Sequence, residues 1–390
     1  MLPYQFLLYS ITFFLSGIFI ASFQLSFLII SLIVLLFCLI LIFLTFFYPE
    51  KSKFFICLAG LSFFILAGTS YFLFFKDLDL TPDCPDFLLS ARKFMVNSFK
   101  RVLPVLESKY LTSLMFGEKY QLSQEFRDLL ASAGVAHLVA FSGLHLTIST
   151  LLITGVISYF FSPGFSLLIT IILISLLLLI TGFRATALRA GIMMIAYLLA
   201  SQVGRKIKPV IIVSLTALII VLLKPAALTQ DLGFQFSFLA VLGLIYIKEP
   251  LRRFLKMKNQ PGILSWREIF LTTSSALIAV NPLLIIKFNQ ISLVAIVSNL
   301  LILGFVPLTL VLGYLIGFSA ILSNHLSIIL GWFAYILIKY QISVIQIFGR
   351  LNQIIQNSLP FTFFTNFGIV ALYCLGVIIL IYRNKAHDAL

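Results

Sequence analysis

The chain has 390 residues, of which 61% are hydrophobic and 10% charged, and its formal net charge is +14. A water-soluble domain carries about 25% charged residues, so this composition excludes an ordinary soluble enzyme or binding domain. The positive charge alone does not indicate nucleic-acid binding, because membrane proteins collect Lys and Arg in their cytoplasmic loops. We therefore expect an all-α polytopic membrane protein.

Three transmembrane helices are predicted in the N-terminal segment, over residues 4–22, 25–47 and 54–75. No acidic or basic residue occurs before position 50, and that length suits two spans of about 20 residues each. The first basic residue is Lys51, unlike the basic start of a cleaved signal peptide, so we expect the segment to be retained. Residues 1–75 form the first predicted domain.

The next predicted domain, residues 76–133, is polar enough to lie outside the bilayer as amphipathic helices. Phe87, Phe94 and Phe99 recur there at helical spacing, while cations such as Arg92 occupy other faces. This pattern is typical of a helix lying in the membrane interface. Ser123 is placed to cap a further helix that leads into the next segment.

The remaining predicted domains are a membrane domain over residues 134–350 and a C-terminal transmembrane helix with a short cytoplasmic tail over residues 351–390. The segment 248–268 holds six basic and two acidic residues, which places it, and with it both termini, in the cytoplasm. Breaks are predicted at residues 162–164 and around Gly304 and Pro307, and further helices are predicted near residues 326–346 and 361–382. The chain then has roughly 10–12 spans, some of them broken or short.

A first polar constellation brings two histidines, a serine and two glycines to the start of a span, where residues 133–145 read AGVAHLVAFSGLH. On one continuous helix His137 and His145 would be about 80° apart and could share a cavity. Alternatively, Ser142 and Gly143 break the helix and expose backbone groups, which is tolerated only beside a cavity or within protein.

A second constellation, TGFRATALRAG at residues 181–191, sets Arg184 and Arg189 among small residues at a helix start. Arginine binds phosphate through two parallel hydrogen bonds, and a helix N-terminus adds partial positive charge. Arg184 could equally reach the outer headgroups. Arg189 lies about one helical turn further into the predicted span, so contact with the headgroups explains this arginine less well.

The third constellation, DLGFQFSF at residues 231–238, places Asp231 and Gln235 one helical turn apart. Asp231 is either part of a polar site or simply the N-cap of the helix. Gln235 and Ser237 lie within the span and are candidates for hydrogen bonds between helices.

In this order, the three constellations resemble the membrane domain of the ComEC family of bacterial competence proteins. Residues 134–145, GVAHLVAFSGLH, are similar to the family's HLLAISGLH motif, and residues 181–193 and 231–240 match its TGFxxTxxRAGxM and DxGFQLSFLA elements. Residues 114–125 resemble its lead-in, and residues 281–301 follow its later spacing. We identify residues 134–350 as a competence-type channel domain on this basis.

The resemblance implies passage of single-stranded DNA through the bacterial cytoplasmic membrane during natural transformation. Longer family members also carry an OB-like domain and a metallo-β-lactamase-like domain, and we expect neither in this sequence. A separate DNA receptor, nuclease and cytoplasmic motor are therefore expected partners, besides the lipid bilayer. The resemblance leaves both a monomer and a homo-oligomer open.

We expect a hydrated route lined by polar residues of the three constellations, with no catalytic, cofactor-binding or metal-binding residue. The route residues are His137, Ser142, Gly143, His145, Arg184, Arg189, Asp231, Gln235 and Ser237. Phosphates would meet the arginines, while bases slide past aromatic faces such as Phe141, Phe234 and Phe238. Two alternatives are an intramembrane metal-dependent hydrolase and a lipid or small-solute transporter.

Overall fold

The structure is a computed structural model. It describes residues 3–22, 52–75, 85–139, 143–182, 185–202, 208–257, 266–288 and 294–358, with a few single positions between these ranges. The predicted helices over residues 25–47 and 361–382 lie almost entirely outside this part of the chain. Within it, every regular element is helical, which confirms the predicted all-α class.

The described helices are numbered in chain order. They are α1 Pro3–Ala21, α2 Ser52–Phe75, α3 Asp86–Val102, α4 Val105–Phe116, α5 Gln124–Ser132, α6 Gly143–Phe160, α7 Pro163–Ile180, α8 Ala185–Gln202, α9 Pro209–Leu223, α10 Ala227–Gln230, α11 Leu232–Tyr246, α12 Lys248–Phe254, α13 Trp266–Phe288, α14 Ala295–Leu303, α15 Val306–Leu322 and α16 Asn324–Ser358. Single 3₁₀ turns occur at Lys119–Gln121 and Ala136–Leu138.

Three of the described helices are long and apolar enough to cross a membrane: Pro163–Ile180, Trp266–Lys287 and Asn324–Gln356. Two bent pairs raise the number to five if each pair is one span, namely α11 with α12 at 47° and α14 with α15 at 45°. Four shorter apolar helices lie in α1, α2, α8 and α9. The membrane class is thus confirmed, while the total of roughly 10–12 spans stays a prediction.

Both predicted helix breaks are found. α6 ends at Phe160 and α7 begins at Pro163, because proline fits the first turn of a helix but not its interior. α14 ends at Leu303 and α15 begins at Val306, with Pro307 in its first turn.

The chain divides into two compact units, and the first comprises Met1–Pro82 with Ile192–Gln235. In it α1 and α2 cross at Gly17 and Gly68, where a Cβ atom would overlap the backbone of the facing helix. Thr69 Oγ1 donates to Gly17 O at 3.2 Å across this crossing. Glycine at such crossings allows membrane helices to approach closely and pack.

The second unit comprises Asp83–Gly191 with Phe236–Leu390, and its described core is formed by α3, α4, α5, α14, α15 and α16. α16 runs across this core and packs closely on α3 at Gly331 and on α5 at Gly349. A buried hydrogen-bonded chain ties the helices together: Tyr110 Oη donates to Gln341 Oε1 at 3.2 Å, and Gln341 Nε2 donates to Thr309 Oγ1 at 2.7 Å.

The predicted amphipathic helix of the outer segment is present as α3, and it is anchored to the protein by its apolar face. Phe99 is fully buried and Met95 lies against Gly317 of α15, whereas Phe87 and Phe94 are exposed. α16 extends to Ser358, beyond the predicted helix over residues 326–346 and through the predicted domain boundary at residue 350.

Candidate functional site

The first motif begins where α5 ends, in a turn that requires glycine. Ser123 caps α5 as predicted, its Oγ accepting the Phe126 N–H at 3.3 Å. After Ser132 the chain turns at Gly134, whose φ of +71° lies in the left-handed region that other residues enter at a cost. A Cβ atom at residue 134 would also overlap Ala295 of α14.

Three side chains in α14 or just before it donate hydrogen bonds to backbone carbonyl oxygens at this turn. Ser292 Oγ donates to Ser132 O at 2.7 Å, Ser298 Oγ to Ala133 O at 2.5 Å, and Asn299 Nδ2 to Gly134 O at 3.3 Å. The last carbonyls of a helix have no partner within the helix. We call this arrangement the α5–α14 junction; it satisfies those carbonyls with residues about 160 positions away in the sequence.

The two histidines belong to different elements, so the alternative of an interrupted helix is confirmed. His137 lies in the 3₁₀ turn Ala136–Leu138, and His145 lies in the first turn of α6, which begins at Gly143. The His137 side chain is exposed, whereas His145 is only 1% exposed. Ser142 lies outside the described residues.

The second motif approaches the first at the start of α6. Gly143 faces α8, where a Cβ at Gly143 would be 3.7 Å from the Cβ of Ala190, an ordinary van der Waals distance. Arg189, the residue before Ala190, is therefore placed on the part of α8 that lies beside the histidine motif. Arg184 and Phe183 lie outside the described residues.

An ion pair outside the predicted site is hydrogen-bonded to the end of α7, just before the second motif. Arg92 of α3 pairs with Glu118, and its Nη1 donates to Ile180 O, at the end of α7, at 3.3 Å. Both charged side chains are mostly buried. Arg92 thus joins the lead-in segment to the chain that enters the second motif.

The third motif is stabilised by its own neighbours in the sequence. Asp231 Oδ1 accepts the Phe234 N–H at 3.1 Å, which is the N-cap interaction. Gln235 Nε2 donates to Leu228 O and Thr229 O at 3.1 and 2.9 Å, back to the short helix α10. Ser237, in the next turn of α11, is buried.

The described route residues are divided between the two units. His137, Gly143, His145 and Arg189 belong to the second unit, as does Ser237, whereas Asp231 and Gln235 belong to the first. Their gathering in one route stays a prediction. Among the described residues, no group of three His, Cys, Asp or Glu side chains is placed to hold a metal ion.

The partners of the first motif are not among the predicted route residues. They are Ser292, Ser298 and Asn299. Adjacent Ser298 and Asn299 in a long charge-free run are the signal that could have revealed them, since polar groups buried in a membrane protein need partners.

Residues 114–386 match the family model described as Competence protein. The chain belongs to this family. A curated relative, ComE operon protein 3 of Bacillus subtilis (strain 168), is 25% identical over 234 residues, which are 59% of this chain and 29% of the relative. The matched region thus spans less than a third of that relative, and the resemblance to the ComEC family is confirmed. No solved structure matches the chain.

Proposed function

We propose that this competence protein forms the membrane part of a route by which single-stranded DNA enters the cytoplasm during natural transformation. The observation that carries the proposal is the meeting of the first two motifs at Gly143 and Ala190, inside the region matched by the family model. That contact supports the proposal because Arg189 precedes Ala190 and His145 follows Gly143 by two residues in a chain of which only 10% is charged.

The chemistry of these groups suits a polyanion. An arginine in an apolar setting is costly unless it faces water or a partner, and its planar guanidinium binds phosphate oxygens in pairs. Phosphate contacts do not depend on base sequence, and aromatic side chains accept any base by stacking. A route of this kind would transport DNA of arbitrary sequence, without a catalytic step in this chain.

The proposed setting is the bacterial cytoplasmic membrane, with both termini in the cytoplasm. The segment 248–268 supports this orientation, because its excess of Lys and Arg is typical of a cytoplasmic loop. Two of these cations, Lys248 of α12 and Arg252 of α12, contact Glu268 of α13 at 2.6 and 2.9 Å. A DNA receptor, a nuclease and a cytoplasmic motor would be separate proteins, and self-association of the chain is a further proposal of the same kind.

DNA uptake in the natural host tests the proposal. The gene is deleted, the strain is made competent, and labelled DNA protected from external nuclease is measured with and without the wild-type chain supplied in trans. We expect deletion to abolish protection and the wild-type chain to restore it. Undiminished uptake in the deletion strain would rule the proposal out.

A further inference from the structure

Helix α12 turns away from the direction of α11 and is held against the first turn of α13. The bend between α11 and α12 is 47°. Lys248 and Arg252 of α12 contact Glu268 of α13 at 2.6 and 2.9 Å, and two residues of α12 between these cations are buried. We call α12 together with residues 255–257 and 266–267 the α12–α13 corner. The ion pairs and the buried residues fix its position on the protein.

The corner exposes large apolar side chains. Phe254 is 71% exposed, and Leu255 and Trp266 are exposed as well. The candidate membrane span of α13 begins at Trp266, so the corner lies at one end of that span. Aromatic side chains are enriched at this depth of a membrane, where the acyl chains meet the headgroups. The exposed apolar residues therefore favour the bilayer surface over water as their surroundings.

The same corner carries more cations than carboxylates. The described residues of the segment 248–268 include five cations and two carboxylates. Arg253 and Lys256 are exposed, and the Arg267 guanidinium carbon lies 5.4 Å from the centre of the Trp266 ring. Long basic side chains can leave their apolar part in the acyl region while the charge reaches the headgroups. The corner thus combines surplus positive charge with exposed apolar side chains.

Lys256 has a backbone conformation that glycine usually adopts. Its φ is +51°, and no other residue except glycine has a positive φ in the described part of the chain. The Lys256 N–H donates to Arg253 O at 3.0 Å, and the Met257 N–H donates to Arg252 O at 3.1 Å. These two bonds form the Schellman motif, whose left-handed position is commonly glycine.

The turn alone does not explain why this position is a lysine. A left-handed residue with a side chain is strained, and glycine would fit without that cost. The helix dipole does not require the lysine either, because Arg252 and Arg253 already place cations in the last turn of α12. Strained backbone is often found at functional sites, which indicates a role for the Lys256 side chain.

We propose that the α12–α13 corner binds anionic phospholipids, with Phe254 and Leu255 in the acyl region and Arg253 and Lys256 on the headgroup phosphates. Positive charge close to the membrane surface attracts anionic lipids. Two observations favour lipid over DNA as the anion: leucine offers no ring on which a base could stack, and the corner lies at the end of a candidate span. The proposal holds whether or not the protein transports DNA.

The direct test is native mass spectrometry of the full chain released from detergent micelles. The protein is mixed with phosphatidylglycerol or with zwitterionic phosphatidylethanolamine of the same acyl chains, and the lipids bound to the intact protein are counted. We expect the wild type to retain phosphatidylglycerol preferentially. Arg253→Gln and Lys256→Gln should each weaken this binding about fivefold, which corresponds to about 1 kcal/mol per cation near a membrane surface.

Lys109→Gln is the matched control, because this exposed lysine lies between two buried residues of α4. It removes the same charge at a place without exposed apolar neighbours, so we expect it to bind phosphatidylglycerol as the wild type does. Equal binding of the two lipids by the wild type, or an equal loss in Lys109→Gln, would overturn the proposal.

A glycine variant separates lipid binding from folding. Lys256→Gly removes the charge and also relieves the left-handed conformation. We expect it to unfold at a higher temperature than Lys256→Gln and to lose the same phosphatidylglycerol binding. Wild-type lipid binding by Lys256→Gly would contradict the proposed role of the lysine side chain.

A second measurement distinguishes lipid from DNA as the ligand of the corner. A single-stranded oligonucleotide is titrated onto the full chain in nanodiscs of zwitterionic lipid. We expect Lys256→Gln to bind the oligonucleotide as the wild type does, alongside its reduced binding of phosphatidylglycerol. A loss of oligonucleotide binding with unchanged phosphatidylglycerol binding would identify the corner as a DNA surface and overturn the proposal.

Discussion

The α5–α14 junction and the start of α11 show two ways of holding a polar motif in this protein. At the junction, the carbonyls of residues 132–134 are bound by side chains 160 to 165 positions away. At the start of α11, Asp231 and Gln235 bond only to groups three to seven positions away. The first motif is therefore built by the tertiary fold, and the third largely by its own sequence.

The comparison predicts that the largest loss of stability follows from changes at Gly134. In Gly134→Ala the left-handed conformation costs about 1–2 kcal/mol, and the new methyl group overlaps Ala295. Gly182→Ala is the matched control, because Gly182 has a similar φ of +69° and open space around its Cα. Thermal unfolding in detergent should show a clearly larger loss for Gly134→Ala. Equal losses would mean that packing against α14 contributes nothing.

A smaller, local effect is expected at Asp231. Asp231→Ala removes the N-cap of α11 and should cost about 1 kcal/mol of unfolding free energy, whereas Asp231→Asn keeps an accepting oxygen and should retain most of it. The same two variants also test whether Asp231 belongs to the proposed DNA route. If Asp231 is only a cap, the asparagine variant takes up DNA normally, and a loss of uptake at normal stability would show that the carboxylate charge is needed.

The smallest effect is expected at Ser298. Ser298→Ala removes the bond to Ala133 O and should cost about 0.6 kcal/mol, the average for side-chain hydrogen bonds within membrane proteins. Ser319→Ala, which loses only a bond within its own helix, should be close to neutral when unfolding is measured in the same detergent. A cost no larger than that of the control would show that the long-range bond is dispensable.

The same contrast explains how much could be predicted from the sequence. The helical class, the breaks at Pro163 and Gly304, and the caps at Ser123 and Asp231 depend on neighbouring residues, and the structure contains all of them. Local chemistry of this kind is visible in a single sequence.

Features that depend on distant parts of the chain were not predictable in this way. Nothing near Gly134 indicates that Asn299 binds its carbonyl, and nothing near Arg92 indicates Glu118 and Ile180 as its partners. The helix predicted over residues 326–346 ends before Asn352, whereas the structure continues α16 to Ser358 and buries Asn352 fully. Packing against other helices can bury a polar side chain at a position where the sequence alone predicts the end of a membrane span.

Arg189 provides the most direct measurement of the central claim, that polar residues of the first two motifs line a DNA route. Nuclease-protected DNA is measured in the deletion strain supplied with Arg189→Ala or with Arg350→Ala, an exposed arginine on α16, and membrane fractions are blotted for equal protein. We predict that Arg189→Ala abolishes uptake while Arg350→Ala retains it. Wild-type uptake by Arg189→Ala at a normal membrane level would contradict the account.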